Sequence, residues 1–436
     1  MQTVTRDDPT TQVLCEVRDV GHDFVLPNHK SLRVLDGISL QIRPSEVVCL
    51  LGPSGCGKST ILRILAGLIV PTRGEVFYHG APLRGLNPGV AMVFQSFALL
   101  PWMTVLGNVQ IVLRAAGLDS QEVRERSSAV IGKVGLAGSE EAYPRELSGG
   151  MKQRVGIARA LALNPEILFM DEPFSQVDAL TAESLRAEVI DIWAVKDQHP
   201  DSVVMVSHDI REVVYMADRV VVMGASPGRI LAIVENTMPR PRDYTVPEAV
   251  ALVDRLHDII TGHALPDIVA ERRPVPGAEA PIEPLPRATT SELIGLLEYL
   301  DGRGGRQDVF RIASETNREL GQVIAVVKAG EMLNLVDTPR RDVVLDADGI
   351  RFVRANAVER QTIWREQLLK LRLFREVDGM LRARPGASVS ADEVLRLIEG
   401  AMPQEDSRLV FETLVRWARY GNLFSYDEDR RMLSLQ

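Results

Sequence analysis

The sequence predicts an α/β domain with a largely parallel sheet, followed by a smaller α+β domain. From residue 13 to about residue 234, short β-rich runs alternate with helical stretches, which is typical of a sheet with helices on its faces. Residues 271–287 contain several prolines, which block regular structure and favour a stiff, extended spacer. At 436 residues the chain is also too long for one ordinary domain.

These observations predict three segments. The first domain covers residues 13–265, a proline-rich linker covers 266–287, and a C-terminal domain covers 288–436. The boundary follows the prolines, because few contacts are expected to cross a segment that cannot form helix or strand.

The C-terminal domain contains a weak internal repeat, at residues 288–355 and 372–436. Three helices followed by two short β-runs are the winged-helix arrangement, so we predict two such units in tandem, joined by a helical stretch at 358–371. The predicted elements are helices at 291–301, 307–316 and 319–333 with β-runs at 335–337 and 342–345, then helices at 374–383, 391–402 and 405–420 with β-runs at 423–426 and 431–435.

Composition argues against several classes of protein. The net charge of −9 argues against broad, sequence-independent binding to nucleic acid. Three cysteines, and histidines without metal-ligand spacing, predict neither a disulfide framework nor a zinc site. The longest apolar runs are far shorter than the ~20 residues that span a bilayer, and residues 1–11 lack the pattern of a signal peptide. We therefore expect a cytoplasmic location.

A phosphate-binding loop is predicted between a strand at 46–51 and a helical run at 60–68. The pattern Gly-x-x-x-x-Gly-Lys-Ser lets successive backbone N–H groups point at phosphate oxygens beside a helix N-terminus. Lys58 supplies a charge for the β- and γ-phosphates, and the Ser59 hydroxyl suits a Mg²⁺ ligand. The predicted ATP-binding residues of this loop are Gly52, Pro53, Ser54, Gly55, Cys56, Gly57, Lys58, Ser59 and Thr60.

Two carboxylates follow the apolar strand predicted at 167–170. Asp171 and Glu172 are thereby expected at the carboxyl edge of the sheet, where open α/β folds bind ligands. Asp171 is predicted to hold Mg²⁺, directly or through water. Glu172 is then free to polarise the attacking water as a general base. We therefore predict an ATPase.

A second glycine-bearing turn, at 147–154, opens a helix and is another potential anion-binding site. This segment resembles the signature sequence of ATP-binding-cassette (ABC) ATPases, and the resemblance extends over about residues 13–234, with several motifs in the family's order. In that family two ATPase domains pack head to tail, and each ATP lies between the phosphate loop of one and the signature of the other. The resemblance implies that Ser148, Gly149 and Gly150 contact the γ-phosphate bound by the partner copy.

The resemblance implies roles for four further residues. Gln95 matches the family's glutamine that contacts Mg²⁺ and the attacking water, and His208 matches the switch histidine that holds the γ-phosphate. Residues 175–178 match the family's dimer-contact loop, in which Asp178 is the residue that carries the match. Phe24 is the candidate for the aromatic ring that stacks on adenine, with a simple core position as the alternative.

Within the family, the chain looks most like importers of the nitrate, sulfonate, taurine and bicarbonate type. The segments that carry this likeness are 51–60, 94–109, 172–180 and 226–230. It implies a subunit that lies at the cytoplasmic face of the plasma membrane and energises the import of a small anion. The implied partners are transmembrane permease subunits, an external solute-binding protein and a second ATPase copy, identical or paralogous. The solute stays open, because the ATPase does not touch it.

The C-terminal domain resembles the extension carried by one branch of these ATPases. A DNA-reading third helix should have a basic face, but the one predicted at 319–333 carries only Lys328 as a cation. In the second repeat, Arg408, Arg416 and Arg419 alternate with acidic residues, which is typical of a solvated helix face. We therefore expect a regulatory or dimer-contact role and no nucleic acid partner. The alternative is a soluble ABC-type ATPase that acts as a DNA-binding regulator through its winged helices.

Overall fold

The structure is a computed structural model that describes most of the chain as two compact units. The described residues are 13–25, 31–195, 200–225, 227–244, 246–264, 282–316, 318, 320–339, 342–384, 386–403 and 405–435. The chain divides into Met1–Ile260 and Thr261–Gln436, and each unit is considered separately. Most of the predicted linker, 266–287, lies outside the described residues.

The first unit alternates strands and helices along most of its length. Its strands are β1 (Cys15–Val25), β2 (Ser31–Ile42), β3 (Val47–Leu51), β4 (Arg73–Tyr78), β5 (Ala81–Pro82), β6 (Val90–Val93), β7 (Ile167–Asp171), β8 (Ser202–Ser207), β9 (Arg219–Gly224) and β10 (Arg229–Glu235). Its helices are α1 (Lys58–Leu65), α2 (Val105–Ala115), α3 (Ser120–Lys133), α4 (Gly149–Ala162), α5 (Ala179–Trp193), α6 (Ile210–Met216) and α7 (Pro247–Ala264).

The larger sheet of this unit has the order β10-β9-β3-β8-β7-β6. Strand β3 pairs in parallel with β8 and β9, and β7 pairs in parallel with β8 and β6, whereas β10 is antiparallel. Every residue of β3, β7, β8 and β9 is buried, as expected of strands covered on both faces. The predicted α/β fold is therefore confirmed, and the strand ends that carry the predicted site meet at one edge.

A second, antiparallel sheet was not predicted. It has the order β2-β1-β4-β5, with Val17 opposite both Leu40 of β2 and Val76 of β4. These three side chains are buried, so one face of this sheet contributes to the core of the unit.

The second unit is mostly helical. Its helices are α8 (Thr290–Asp301), α9 (Val309–Thr316), α10 (Leu320–Met332), α11 (Ala347–Arg354), α12 (Ala357–Leu368), α13 (Arg372–Arg382), α14 (Ala391–Ala401) and α15 (Ser407–Tyr420). Its strands are β11 (Arg306–Asp308), β12 (Val336–Asp337), β13 (Asp342–Leu345), β14 (Ser388–Ser390), β15 (Phe424–Asp427) and β16 (Met432–Leu435). They form two three-stranded antiparallel sheets, β11-β13-β12 and β14-β16-β15.

Two details of the predicted repeat were wrong. Residues 307 and 308 were assigned to a helix, but they belong to β11 and pair with β13. The predicted connecting stretch 358–371 is preceded by a further helix, α11, which Asp346 caps by accepting from the backbone N–H of Ala347. Each repeat therefore has the predicted three helices and hairpin, together with a third short strand.

The two repeats share one continuous hydrophobic core. Trp364, on the connecting helix α12, is fully buried and donates through Nε1 to the Trp417 carbonyl at 3.1 Å. Trp417 in turn donates through Nε1 to the Ala288 carbonyl at 3.0 Å. The connecting helix is therefore part of the core and not a free linker. Among the helices of the described residues, none has the length and apolar character to cross a bilayer.

Candidate functional site

The predicted phosphate loop connects β3 to α1. Gly57 caps the helix with a φ of 91°, a left-handed conformation that glycine adopts without strain. A Cβ at this position would also lie 2.5 Å from Leu35 Cδ2 of β2. The backbone conformation therefore favours glycine at residue 57, and any side chain there would also have to displace Leu35.

Lys58 begins α1 with a nearly buried side chain, 4% exposed. Its Nζ donates to the carbonyl oxygens of Gly52, at 2.8 Å, and Pro53, at 3.0 Å. The ammonium therefore lies inside the curl of the loop, beside the N-terminus of a helix. Both features place positive charge where a phosphate group would bind.

Two oxygen donors meet where α1 approaches the end of β7. Ser59 Oγ donates to Asp171 Oδ1 at 2.6 Å, and Asp171 is 3% exposed. Arg63 Nη2 lies 3.6 Å from the other carboxylate oxygen. Hydroxyl and carboxylate oxygens are ligands that Mg²⁺ prefers, so the donor set fits the predicted metal. Within the described ranges, no group of three or more His, Cys, Asp or Glu side chains could hold a metal ion.

Glu172 is the point at which the predicted catalytic residues meet. It follows β7 with a φ of 45°, a strained conformation for a non-glycine residue. Gln95 Nε2 donates to Glu172 Oε2 at 3.0 Å, and His208 Nδ1 lies 3.6 Å from the same oxygen. The nearby His208 holds the pKa of Glu172 below its usual range, partly opposed by burial, with a smaller contribution from the charge of Lys58. The carboxylate is thus kept ionised.

The turn after Gln95 is held by Arg159, a residue without a role in the sequence-based predictions. Phe97 and Ala98 have left-handed φ values of 60° and 49°. Arg159, on α4, donates to the Ala98 carbonyl at 2.6 Å and to the Phe97 carbonyl at 3.1 Å. Charge-assisted hydrogen bonds of this kind fix a strained turn. Arg159 escaped prediction because a cation on a helix usually faces solvent.

The signature residues pack against the predicted dimer-contact loop. Ser148 caps α4 by accepting from the Met151 N–H at 3.2 Å, and its side chain is at the surface. A Cβ on Gly150 would lie 2.3 Å from Thr181 Cγ2 of α5, so a side chain at residue 150 would force Thr181 to move. Asp178 caps α5 by accepting from the Thr181 N–H at 3.1 Å. That hydrogen bond lowers the pKa of Asp178.

The neighbouring Gly149 also contacts this loop. A Cβ on Gly149 would lie 3.4 Å from the Gln176 carbonyl oxygen. Gly150 therefore allows the closer packing, whereas a Cβ at residue 149 would make an ordinary van der Waals contact.

Phe24 lies near the end of β1, opposite Leu32 of β2, and is 40% exposed. Its ring meets the edge of His22 with centroids 4.6 Å apart. Three residues beyond Leu32, Leu35 approaches Gly57 of the phosphate loop. An exposed aromatic ring on this ladder is compatible with stacking on a base and less so with a core position.

Gly228, immediately before β10, packs against both the phosphate loop and β2. A Cβ on Gly228 would lie 2.1 Å from the Cys56 carbonyl oxygen. The Gly228 N–H donates to the Val34 carbonyl at 2.8 Å, and the Asp36 N–H donates to the Gly228 carbonyl at 3.0 Å. In the sequence analysis, residues 226–230 had no structural role and indicated only a likeness to one type of importer. Residue 226 lies outside the described residues, but Gly228 gives this run a structural role.

Comparison with known proteins agrees with this geometry. The sequence profile of the ABC transporter family matches residues 35–175, and that of the C-terminal AAA-associated domain matches residues 310–427. An uncharacterised ABC transporter ATP-binding protein of Methanocaldococcus jannaschii is 44% identical over 238 residues, which cover 55% of this chain and 88% of that protein.

Two similar proteins have more specific names. The nitrate import ATP-binding protein of Synechocystis is 42% identical over 233 residues, covering 53% of this chain and 85% of that protein. The taurine import ATP-binding protein of Chromobacterium violaceum is 45% identical over 197 residues, covering 45% of this chain and 74% of that protein. The chain therefore belongs to the ATP-binding proteins of ABC transporters, and it is an ATPase.

Proposed function

We propose that this ATPase energises an importer for a small anion of the nitrate, bicarbonate, taurine or sulfonate kind. The similarity to proteins named for nitrate and taurine import supports the transport role. The observation that carries the chemistry is the meeting of Gln95 and His208 at one oxygen of Glu172. A carboxylate held by two orienting groups beside a phosphate loop is suited to activating water.

The hydrolysis step uses residues of the phosphate loop and of the strand ends. Lys58 and the loop N–H groups bind the β- and γ-phosphates of ATP. Glu172 accepts a proton from a water molecule whose oxygen forms a bond to the γ-phosphorus, while the bond from phosphorus to the bridging oxygen breaks. The products are ADP and phosphate. His208 and Gln95 orient the water and the carboxylate.

We assign the Mg²⁺ site to Ser59, Asp171 and Gln95. The contact between Ser59 and Asp171 supports this assignment, because it brings two suitable oxygens together at the carboxyl edge of the sheet. The ion would neutralise charge on the β- and γ-phosphates. Phe24 is assigned to adenine.

A second ATPase copy completes the site in this proposal. Ser148, Gly149 and Gly150 act on the ATP of the partner copy, and Asp178 contacts the partner. The surface position of Ser148 and Asp178, each at the start of a helix, supports their availability to another molecule. Backbone N–H groups at a helix start are suited to binding a γ-phosphate.

Permease subunits in the membrane are the second class of partner. The segment 97–103 is proposed to receive a helix of the permease, and Trp102 within it is 69% exposed. An exposed tryptophan is typical of a protein contact. The ATPase is placed by this proposal at the cytoplasmic face of the membrane, and an external solute-binding protein acts through the permease.

The second unit is proposed to be a pair of winged helices with a regulatory or dimer-contact role. The element order of each repeat, with three helices, a hairpin and a third strand, supports the winged-helix assignment. Helix α10 carries one cation, Lys328, and buries Val323 and Val327. Such a helix offers little attraction for phosphate, which favours protein contacts over DNA.

Purification of the full chain from native membranes in mild detergent tests the transport proposal. We expect hydrophobic permease subunits to co-purify with the chain. The purified complex should retain Mg²⁺-dependent ATP hydrolysis. A protein that is active without membrane subunits, and that binds DNA in a salt-sensitive manner, would instead support the DNA-regulating alternative.

A further inference from the structure

Three polar side chains near His208 are in contact with one another, and none of them has a role in the proposed chemistry. Ser207 is at the end of β8, Glu212 is on α6 and Arg186 is on α5. Glu212 is 6% exposed and accepts a hydrogen bond from Ser207 Oγ. Arg186 Nη1 lies 3.7 Å from the other Glu212 oxygen. We call these three residues the Glu212 cluster.

Ser207 connects this cluster to both sides of the switch histidine. Its hydroxyl donates to Glu212 and also accepts from the backbone N–H of Asp209 at 3.0 Å. The residue before His208 and the residue after it are therefore tied to one buried hydroxyl. A rotation of the backbone at His208 would break at least one of these two hydrogen bonds.

Arg186 connects the cluster to the segment that follows Glu172. Its guanidinium carbon lies 6.0 Å from the centre of the Phe174 ring, within the range of a cation–π contact. Phe174 is 5% exposed and is two residues from the strained Glu172. The cluster thus spans the two segments that carry the proposed general base and the switch histidine.

The protonation of Glu212 is compatible with a structural contact. Burial raises its pKa to about 7, partly opposed by the hydrogen bond from Ser207. A carboxylic acid and a carboxylate can both accept from the Ser207 hydroxyl, and so can the amide oxygen of glutamine. The hydrogen bond, unlike the ion pair with Arg186, therefore does not need a charge on Glu212.

We propose that Ser207, Glu212 and Arg186 are positioning residues that hold His208 against Glu172 during ATP hydrolysis. This inference rests on the proposed roles of Glu172 and His208. The separate loop at residues 52–60 provides most of the phosphate contacts, so loss of the cluster lowers kcat by misplacing His208 and changes the KM for ATP much less. A cluster that served only the stability of α6 would lower the apparent kcat through the fraction of folded chain alone, so kcat is expressed per folded, ATP-binding chain.

Steady-state ATP hydrolysis by the full chain tests the inference. We expect Glu212→Ala and Ser207→Ala to lower kcat by about 10-fold or more, with the KM for ATP changed by less than about 3-fold, because misplaced catalytic groups cost rate and not ground-state binding. Glu212→Gln keeps the acceptor for Ser207 and is expected to restore most of the rate. Ser207→Ala removes a single oxygen atom, so it remains informative if Glu212→Ala does not fold.

Glu16→Ala is the matched control for loss of a buried carboxylate. Glu16 is 9% exposed and accepts from Gln41 Nε2 at 2.9 Å on the antiparallel sheet. We expect this variant to lower the melting temperature without lowering kcat. An equal loss of kcat in the control, a normal kcat in both cluster variants, or a parallel rise in KM would overturn the inference.

His208→Ala separates this inference from the proposed function. If His208→Ala keeps the wild-type kcat, the proposed role of His208 fails, and the inference fails with it. If His208→Ala abolishes turnover while Glu212→Ala and Ser207→Ala do not slow it, only the positioning inference fails. Because the cluster acts through His208, Ser207→Ala should add little to the loss caused by His208→Ala.

Discussion

Replacement of Glu212 by glutamine should change the pH dependence of stability in the first unit. Burial raises the pKa of Glu212 from 4.5 to about 7, and the charge of Asp209 adds to this effect. The Ser207 hydrogen bond and the charges of Arg186 and His208 oppose it. The folded state therefore binds this proton more tightly than the unfolded state. The contribution of protonated Glu212 to the unfolding free energy is complete below pH 4.5 and is lost as pH rises through 7.

The difference between the two pKa values corresponds to about 3 kcal/mol of unfolding free energy. Glutamine cannot ionise, so we expect Glu212→Gln to gain about 3 kcal/mol relative to the wild type between pH 4.5 and pH 8. Hydrogen exchange of peptides from β3 and β8, measured in increasing urea, reports on the first unit alone. A stability difference that stays constant across this range would refute the raised pKa of Glu212.

Three further substitutions test the phosphate loop and the hydrophobic core of the second unit. Lys58→Ala should raise the Kd for ATP by about 10-fold or more, since hydrogen bonds to charged groups contribute roughly 1.5–3 kcal/mol; isothermal titration with an unchanged Kd would contradict this. Gly228→Ala should raise the KM for ATP by about 10-fold, because its Cβ would overlap the Cys56 carbonyl. The control Gly132→Ala, with open space around it, should have no such effect. Trp364→Ala should lower the unfolding free energy of the second unit by about 3–5 kcal/mol, and calorimetry that shows no shift in its transition would contradict this.

The central sheet could be predicted because its strands are apolar runs that end in motif residues. The strand predicted at 46–51 is β3 (Val47–Leu51), and the one predicted at 167–170 is β7 (Ile167–Asp171). The antiparallel sheet could not be predicted in the same way. Its strands are joined by long-range pairings, such as Val17 with Val76, which a local pattern does not reveal.

The short strands of the second unit show where local patterns fail. Strands β11 (Arg306–Asp308) and β14 (Ser388–Ser390) have three residues each, too few for an alternating pattern to appear. Both become strands because they pair with the following hairpin. Helix α11 was missed because it begins immediately after β13, where the end of a strand masks the start of a helix.

The residues that support the site depended on tertiary contacts that the sequence does not show. Gln95 and Glu172 were placed in motifs, and the structure brings them within hydrogen-bond distance. Arg159 and Glu212 are charged residues on helices, which local reasoning assigns to the surface. In the folded chain Arg159 holds the turn after Gln95. Glu212 is buried and accepts a hydrogen bond from Ser207, the residue before His208. Their roles arise from contacts between segments that are far apart in sequence.

Mg²⁺-dependent ATP hydrolysis and ATP binding, measured for the full chain and its Glu172→Gln variant, test the assignment of Glu172 as the general base. The amide can still accept a hydrogen bond but cannot take the proton of the attacking water. We predict that the variant binds ATP with wild-type affinity and hydrolyses it about 100-fold more slowly or worse. Hydrolysis by Glu172→Gln at the wild-type rate would contradict the assignment of Glu172 as the general base, and with it the proposed mechanism.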